Sequence, residues 1–119
     1  MGASFRDLLV WQRSIQLCAE IYRVTSGFPK TEQFGLTNQM RRASVSIPSN
    51  IAEGYGKSSK GEYLLYLGHA RGSLCELQTQ LVLAETLGFD TKKSLSTAET
   101  YSADVSRMLI ALMKSLKSR

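Results

Sequence analysis

The chain has 119 residues, of which 43% are apolar, and fifteen Lys and Arg against ten Asp and Glu give it a net charge of +5. This length and apolar fraction predict a single domain over residues 1–119 with a buried core, and exclude a disordered or low-complexity chain. No apolar run is long enough to span a membrane, and the first residues lack the basic-then-apolar pattern of an export signal, so we expect a cytoplasmic protein with no membrane contact.

The first predicted helix carries two apolar stripes, each with steps of three and four residues. One stripe consists of Leu8, Trp11, Ile15, Cys18 and Tyr22, and the other of Val10, Leu17, Ile21 and Val24. Two stripes bury more than one side of a helix, so we expect this helix either to lie deep in a bundle or to contact a second subunit. Gly27 is placed to end the helix in a left-handed conformation, with Pro29 just beyond it.

The second predicted helix begins near Thr31 or Gly35 and ends around Gly54 to Gly56. Its apolar positions are Leu36, Met40, Ala43, Ile47 and Ile51. Pro48 lies inside this helix, where a proline ordinarily costs roughly 3 kcal/mol because it removes a backbone donor and strains the preceding turn. Neighbouring serines could bond to the freed backbone carbonyls or allow a kink.

The third and fourth predicted helices have the most regular apolar seams in the chain. The third begins with a capping box of Ser59 and Glu62 and ends at a Schellman-type stop formed by Gly88 and Phe89. Its seam consists of Tyr63, Leu67, Ala70, Leu74, Leu77, Leu81 and Ala84. The fourth helix follows Asp90, and its seam consists of Leu95, Ala98, Ser102, Val105, Leu109, Leu112 and Leu116.

These segments predict an all-α fold, because no alternating β-branched run bounded by turns occurs in the sequence. The connections between the helices are short, and short connections make successive helices antiparallel neighbours. We therefore predict an antiparallel up-down-up-down four-helix bundle.

Six segments spread over nearly the whole chain carry a resemblance to a known family. They read FRDLLVWQ at residues 5–12, FPKTE at 28–32, GLTNQMRRA at 35–43, SIPSNIAEG at 46–54, GSLCEL at 72–77 and TQL at 79–81. In this order they resemble the four-helix-bundle proteins encoded in intervening sequences of bacterial 23S ribosomal RNA genes. That family shares its fold with the accessory variability determinant of diversity-generating retroelements.

The resemblance implies a four-helix protomer that assembles into a ring-like homopentamer, and a role linked to nucleic acid. The retroelement relative is a non-enzymatic partner of a reverse transcriptase and offers a basic surface to nucleic acid. Ribosomal RNA or a reverse transcriptase is therefore an expected partner of this chain, and the neighbouring genes would assign the branch.

The basic excess lies mainly in the front half of the chain, where Arg41 and Arg42 are adjacent. Residues 1–60 carry eight basic and four acidic side chains, whereas residues 61–119 carry seven and six. Adjacent helical residues point about 100° apart, so the two arginines cannot both face one core. One could contact a phosphate from the outer surface while the other pairs with Glu53 or another carboxylate. The alternative is a solvated helix face with a weak ion pair.

Further cations would extend a patch around the arginine pair if they share one side of the bundle. The six candidate nucleic-acid-binding residues are Arg13, Lys30, Arg41, Arg42, Lys57 and Lys60. Aromatic residues are not interleaved with them as in a platform for single strands, so such a patch would contact phosphates with little regard to sequence.

No catalytic, cofactor-binding or metal-binding pattern accompanies these cations. Cys18 and Cys75 are far apart at apolar helical positions, which predicts buried free thiols rather than metal ligands. His69 has no nucleophile or orienting carboxylate in a matching pattern. The run Gly56–Ser58 matches the end of a phosphate-binding loop, but Ile51 stands where that loop requires a glycine.

The sequence therefore predicts a non-enzymatic, homo-oligomeric helical bundle that needs no cofactor. Such a bundle would bind RNA or DNA through a basic surface, or scaffold a nucleic-acid enzyme such as a reverse transcriptase. The alternative is a protein-interaction scaffold with no nucleic-acid contact. If Trp11 is fully packed in the core, Trp11→Ala should cost about 3–5 kcal/mol of folding stability.

Overall fold

The computed structural model describes residues 3–119, which form four α-helices joined by short segments. The helices are α1 (Leu9–Thr25), α2 (Leu36–Tyr55), α3 (Lys60–Thr86) and α4 (Ser96–Lys117). Short 3-10 helices at Phe5–Asp7 and Lys30–Glu32 precede α1 and α2, and no strand occurs among the described residues. Met1 and Gly2, which belong to the N-terminal segment that lacks the pattern of an export signal, lie outside that range.

One apolar core lies between all four helices, because each helix contacts the next along the chain and α1 also contacts α4. The seams predicted for α2, α3 and α4 face this core. Every position in those seams is buried except Tyr63 and Leu112, which are half-buried at its edge. The prediction of a four-helix bundle without strands is confirmed for this part of the chain.

Helix α1 turns only one of its two stripes toward the core. The stripe from Val10 to Val24 is buried. The stripe from Leu8 to Tyr22 is half-buried or exposed: Leu8 and Trp11 pack at the edge of the core, and the stripe from Trp11 onward lies beside α2. Ile15 is 42% exposed and Tyr22 is 43% exposed. The expectation that α1 lies deep in the bundle is therefore wrong, and contact of the outer stripe with a second subunit stays a prediction.

The ends of α1 and α3 differ in their backbone conformation. Gly88 follows α3 with a φ of 76°, and no other residue in the described range has a left-handed φ. The Phe89 N–H donates to the Ala84 carbonyl over 2.9 Å, which completes the predicted Schellman stop. Gly27 is not left-handed, so that prediction is wrong; α1 ends at Thr25 and is capped by Ser26 in a right-handed conformation.

The start of α3 is fixed by a modified capping box. The Ser59 hydroxyl accepts a hydrogen bond from the Glu62 N–H over 3.1 Å, as predicted. The Glu62 carboxylate accepts from the Ser59 hydroxyl over 3.1 Å rather than from the Ser59 N–H. This pair begins α3 a few residues after α2 ends.

Helix α2 continues through Pro48, which is buried. The Ser44 hydroxyl donates to a backbone carbonyl one turn earlier, and the Asn50 side-chain amide donates to the Ser46 carbonyl over 2.8 Å. These bonds flank the turn in which the proline removes a donor. The Ser46 hydroxyl also lies 2.8 Å from the Ser73 hydroxyl, which joins α2 to α3.

Candidate nucleic-acid interface

The six candidate basic residues lie in three separate places. Lys30, Arg41 and Arg42 lie together where the end of α1 meets the start of α2. The other candidates are Arg13, between α1 and α4, and Lys57 and Lys60, at the turn between α2 and α3. An α-helix rises about 1.5 Å per residue, so roughly 21 Å separates Arg41 from the end of α2.

Arg41 is held against α1 by contacts on two sides of its guanidinium group. The Arg41 Cζ lies 4.6 Å from the centre of the Tyr22 ring, within cation–π range. The Arg41 Nε donates to the Thr25 hydroxyl over 2.9 Å, and that buried hydroxyl in turn donates to the Ile21 carbonyl over 2.7 Å. This arrangement fixes the guanidinium at the surface instead of pairing it with a carboxylate.

Arg42 is exposed and points away from the core. Together with Arg41 it borders a hollow of about 560 Å³ on the outer side of α2, which we call the arginine depression. Its lining residues are Tyr22, Asn38, Arg41, Arg42, Val45 and Ser46. The depression therefore combines two cations with an amide, a hydroxyl and one aromatic ring.

A second hollow, of about 400 Å³, lies on the other side of Arg42, between α2 and α3. We call it the polar depression, and its lining residues are Asn38, Gln39, Arg42, Ala43, Ser46, Ser73 and Glu76. Asn38, Arg42 and Ser46 line both hollows, so the two are direct neighbours. Glu76 makes this half of the surface an acceptor of hydrogen bonds, whereas the arginine depression is rich in donors.

Lys30 extends the basic surface in the opposite direction. It borders a smaller hollow of about 200 Å³ that Arg41 also lines. Among residues 3–119, no carboxylate lies within 4.0 Å of the charged nitrogens of Lys30, Arg41 or Arg42. We call these three residues the Arg41–Arg42–Lys30 surface. The predicted pairing of one of the two arginines with Glu53 is wrong, because Glu53 contacts Lys57 instead.

Arg13 is engaged within the bundle and lies apart from the Arg41–Arg42–Lys30 surface. Its Nε is 3.6 Å from an Asp104 carboxylate oxygen, and its Cζ is 5.0 Å from the centre of the Tyr101 ring. Both partners belong to α4. The position of Arg13 is that of a contact between α1 and α4.

Lys57 and Lys60 lie beyond the far end of α2, at the turn into α3. The Lys57 Nζ lies 5.1 Å from the centre of the Tyr66 ring and 4.0 Å from a Glu53 carboxylate oxygen. The Lys60 Nζ donates to the Arg119 carbonyl over 2.7 Å. These two lysines contact neighbours of their own and do not join the arginine pair.

Several residues of the two depressions escaped the sequence-based reasoning: Tyr22, Asn38, Ser46, Ser73 and Glu76. A signal was present in α2, because Asn38, Arg42 and Ser46 follow one another at steps of four and so share one helix face. Ser73 and Glu76 reach the same place only through the packing of α3 on α2. Tyr22 could not be assigned while its stripe was expected to face the core or a partner.

Other titratable side chains lie outside these depressions. Cys75 is exposed and Cys18 half-buried, so the prediction that both thiols are buried is wrong. His69 is exposed, with its ring edge-on to Tyr66. Burial, reinforced by nearby Tyr55, raises the pKa of the Tyr63 phenol above its ordinary value.

Neither a metal centre nor a membrane span can be built from the described part of the chain. Residues 3–119 contain no cluster of three or more His, Cys, Asp or Glu side chains suited to a metal ion. Within the same range, no helix has both the length and the apolar character needed to cross a bilayer.

Comparison with known proteins identifies a family and a fold. The sequence model of the 23S rRNA-intervening sequence protein family matches residues 6–111. A solved structure is also similar: a protein of unknown function from the S23 ribosomal protein family of Bacteroides thetaiotaomicron. It is 20% identical, and the match covers 89% of this chain and 96% of that one with a TM-score of 0.82, which shows a shared fold. No curated protein matches the chain.

Proposed function

Because the chain belongs to the 23S rRNA-intervening sequence protein family, we propose that it binds RNA or DNA without catalysing a reaction. The phosphates of the nucleic acid bind to the Arg41–Arg42–Lys30 surface. One observation carries this proposal: three cations border adjoining hollows, and no carboxylate of residues 3–119 lies within 4.0 Å of their charged nitrogens. Cations left free in this way can exchange counterions for phosphates.

The two arginines contribute in different ways. Arg41 is already oriented by Tyr22 and Thr25, so little side-chain freedom is lost when a phosphate binds to it. Arg42 is exposed and can adjust to the strand. Contacts to phosphates set affinity and register but carry no sequence information, so binding tolerates many sequences.

A salt titration with matched variants tests the role of Arg42. Binding of a labelled single strand is followed by fluorescence anisotropy at several salt concentrations, with Arg42→Ala compared to Arg71→Ala. Arg71 is exposed and lies two residues before Ser73, so it points about 160° away from the polar depression. We expect Arg42→Ala to weaken binding and to lower the salt slope by about one unit, while Arg71→Ala changes both much less. Equal effects of the two variants, or no binding by the wild type at low salt, would contradict the proposal.

We also propose that the protomer is an antiparallel bundle and forms a homo-oligomer, a pentamer by resemblance to its family. The support for the homo-oligomer is the outer stripe of α1, which lines an apolar groove of about 320 Å³ against α2. The lining residues are Phe5, Trp11, Ile15, Cys18, Val45, Pro48, Ser49 and Ala52. A second copy that covered this groove would remove apolar surface from water.

The second candidate function is a protein-interaction scaffold that makes no nucleic-acid contact, and the same apolar groove favours it. A nucleic-acid enzyme such as a reverse transcriptase would then cover the groove. Light scattering on Ile15→Asp, with Gln16→Asp as a control at the neighbouring exposed position, separates the two occupants. If copies of the chain cover the groove, only Ile15→Asp yields smaller particles. An unchanged particle mass for Ile15→Asp would indicate that another protein, and not a second copy of the chain, covers the groove.

A further inference from the structure

We propose that the polar depression binds ribose 2′-hydroxyl groups of a strand whose phosphates contact Arg41 and Arg42. The protein then binds RNA more tightly than DNA of the same sequence. This inference rests on the proposed function and goes beyond it, because it names the sugar as the group that is recognised.

The two depressions are direct neighbours. Asn38, Arg42 and Ser46 line both, so a group bound in one depression lies next to a group bound in the other. In a nucleic-acid strand the sugar is bonded directly to the phosphate, whereas the hydrogen-bonding edge of the base lies farther away. A phosphate in the arginine depression therefore places a ribose at the polar depression.

The charge of Glu76 selects the kind of group that can bind in the polar depression. An ionised carboxylate only accepts hydrogen bonds, and it repels a phosphate. Its presence beside Arg42 thus favours a neutral donor in the polar depression, and a ribose hydroxyl is such a donor. A hydrogen bond from a hydroxyl to a carboxylate is charge-assisted and stronger than one between neutral groups. Deoxyribose lacks the 2′-hydroxyl and leaves the Glu76 carboxylate without that bond.

The side chains around the polar depression are suited to a sugar rather than to a base. Proteins that recognise unpaired bases usually stack them on aromatic rings. Within residues 3–119, no aromatic side chain lines the polar depression. Tyr22 lines only the arginine depression, and the Arg41 guanidinium already lies over its ring. The polar depression is therefore suited to a sugar edge rather than to a base.

Hydrogen bonds hold two hydroxyl groups of the polar depression in place. The Ser46 hydroxyl lies 2.8 Å from that of Ser73, and the Asn50 amide donates to the Ser46 hydroxyl over 3.0 Å. This network holds the two hydroxyls in place across α2 and α3. A preorganised polar rim loses less side-chain freedom when a ligand binds.

The test compares single strands of one sequence that differ only at the 2′ position. RNA, DNA and 2′-fluoro RNA are titrated at one fixed salt concentration, and the ratio of the DNA and RNA dissociation constants is the readout. We expect RNA to bind at least about tenfold more tightly than DNA, which corresponds to one net hydrogen bond to a charged group. The 2′-fluoro strand keeps an RNA-like sugar but has no donor, so we expect it to bind like DNA.

Two variants assign the difference to Glu76. Glu76→Ala should bring the ratio close to one. Glu85→Ala removes the same charge from an exposed position on α3 outside the depression, and should leave the ratio unchanged. Tight 2′-fluoro binding, a ratio near one in the wild type or an unchanged ratio in Glu76→Ala would overturn the inference while leaving phosphate binding intact. Failure to bind any strand would instead overturn the proposed function, and with it this inference.

Discussion

Gly54 of α2 packs so closely on Tyr66 of α3 that a Cβ atom on the glycine would lie 2.9 Å from the Tyr66 Cβ. The same atom would lie 3.1 Å from the Tyr63 Cδ1 and 3.2 Å from the Tyr63 carbonyl oxygen. The Tyr66 Cβ and the Tyr63 carbonyl oxygen are fixed by the backbone, and the Tyr63 Cδ1 belongs to a half-buried ring, so these neighbours cannot easily move aside. Gly54 therefore sets how closely α2 and α3 approach each other at this end of the bundle.

We predict that Gly54→Ala destabilises the protein although alanine is the better helix former. The gain in helix propensity is about 1 kcal/mol. Overpacking of a tight contact typically costs 1–3 kcal/mol, so we expect a net loss of about 1 kcal/mol in the free energy of unfolding by urea. Gly68→Ala is the control, because a Cβ there would meet no atom within 4 Å. It should gain about 0.5–1 kcal/mol. Stabilisation by both substitutions would contradict the close approach at Gly54.

The contact at Gly54 illustrates what the sequence could and could not predict about the fold. The periodic seams of α2, α3 and α4 predicted the core correctly, because each seam depends only on spacing within one helix. The end of α3 was predicted for the same reason, since Gly88 and Phe89 act locally. The side of α1 that faces the core could not be predicted, because both of its stripes have helical spacing and only packing against the other helices selects one.

In the candidate site, too, local features could be predicted from the sequence, whereas features that depend on packing between helices could not. The pair Arg41 and Arg42 was visible in the sequence, and so was the helical angle between them. The separation of Arg13 and Lys57 from that pair was not, because it depends on which helices are neighbours and on the length of α2. Glu76 became part of the site only through the packing of α3 on α2.

The structure assigns unequal roles to the two arginines in folding. We predict that Arg41→Ala lowers the free energy of unfolding by about 1–2 kcal/mol, because the hydrogen bond to Thr25 and the contact with the Tyr22 ring are lost. Arg42→Ala should stay within about 0.5 kcal/mol of the wild type, as is usual for an exposed position. Urea unfolding of the two variants without nucleic acid measures the difference, and equal losses would show that Arg41 is not anchored to α1.

Tyr63 gives the stability of the bundle a dependence on alkaline pH. Burial raises the pKa of its phenol above the ordinary value of 10.0, nearby Tyr55 adds to the shift, and Arg119 opposes it. In the unfolded chain the phenol loses its proton near pH 10, while the folded protein still holds it. The contribution to stability is therefore complete below about pH 10 and is lost as the pH rises through the folded-state pKa.

We predict that Tyr63→Phe reduces this alkaline loss of stability. The free energy of unfolding by urea is measured from about pH 8 to about pH 11 for the wild type and the variant. The difference between them should grow in favour of the variant above about pH 10, since phenylalanine has no proton to lose. Parallel curves over the whole range would show that the Tyr63 phenol titrates alike in the folded and unfolded states.

Trp11 lies half-buried at the edge of the α1–α2 groove, with its ring edge-on to Phe5 at a centroid distance of 5.3 Å. Part of its surface is already in water, so we expect Trp11→Ala to lower the free energy of unfolding by about 1–2 kcal/mol, less than a core truncation. Leu17→Ala is the matched comparison on the same helix, because Leu17 is fully buried, and should cost about 2–5 kcal/mol.

Protein concentration adds a second readout for Trp11. If a second copy covers the groove, the wild-type unfolding midpoint rises with concentration, because association stabilises only the folded chain. Trp11→Ala should weaken that rise, whereas Leu17→Ala should lower the midpoint by a similar amount at every concentration. A Trp11→Ala loss as large as that of Leu17→Ala at high dilution would place Trp11 in the core of the single protomer instead.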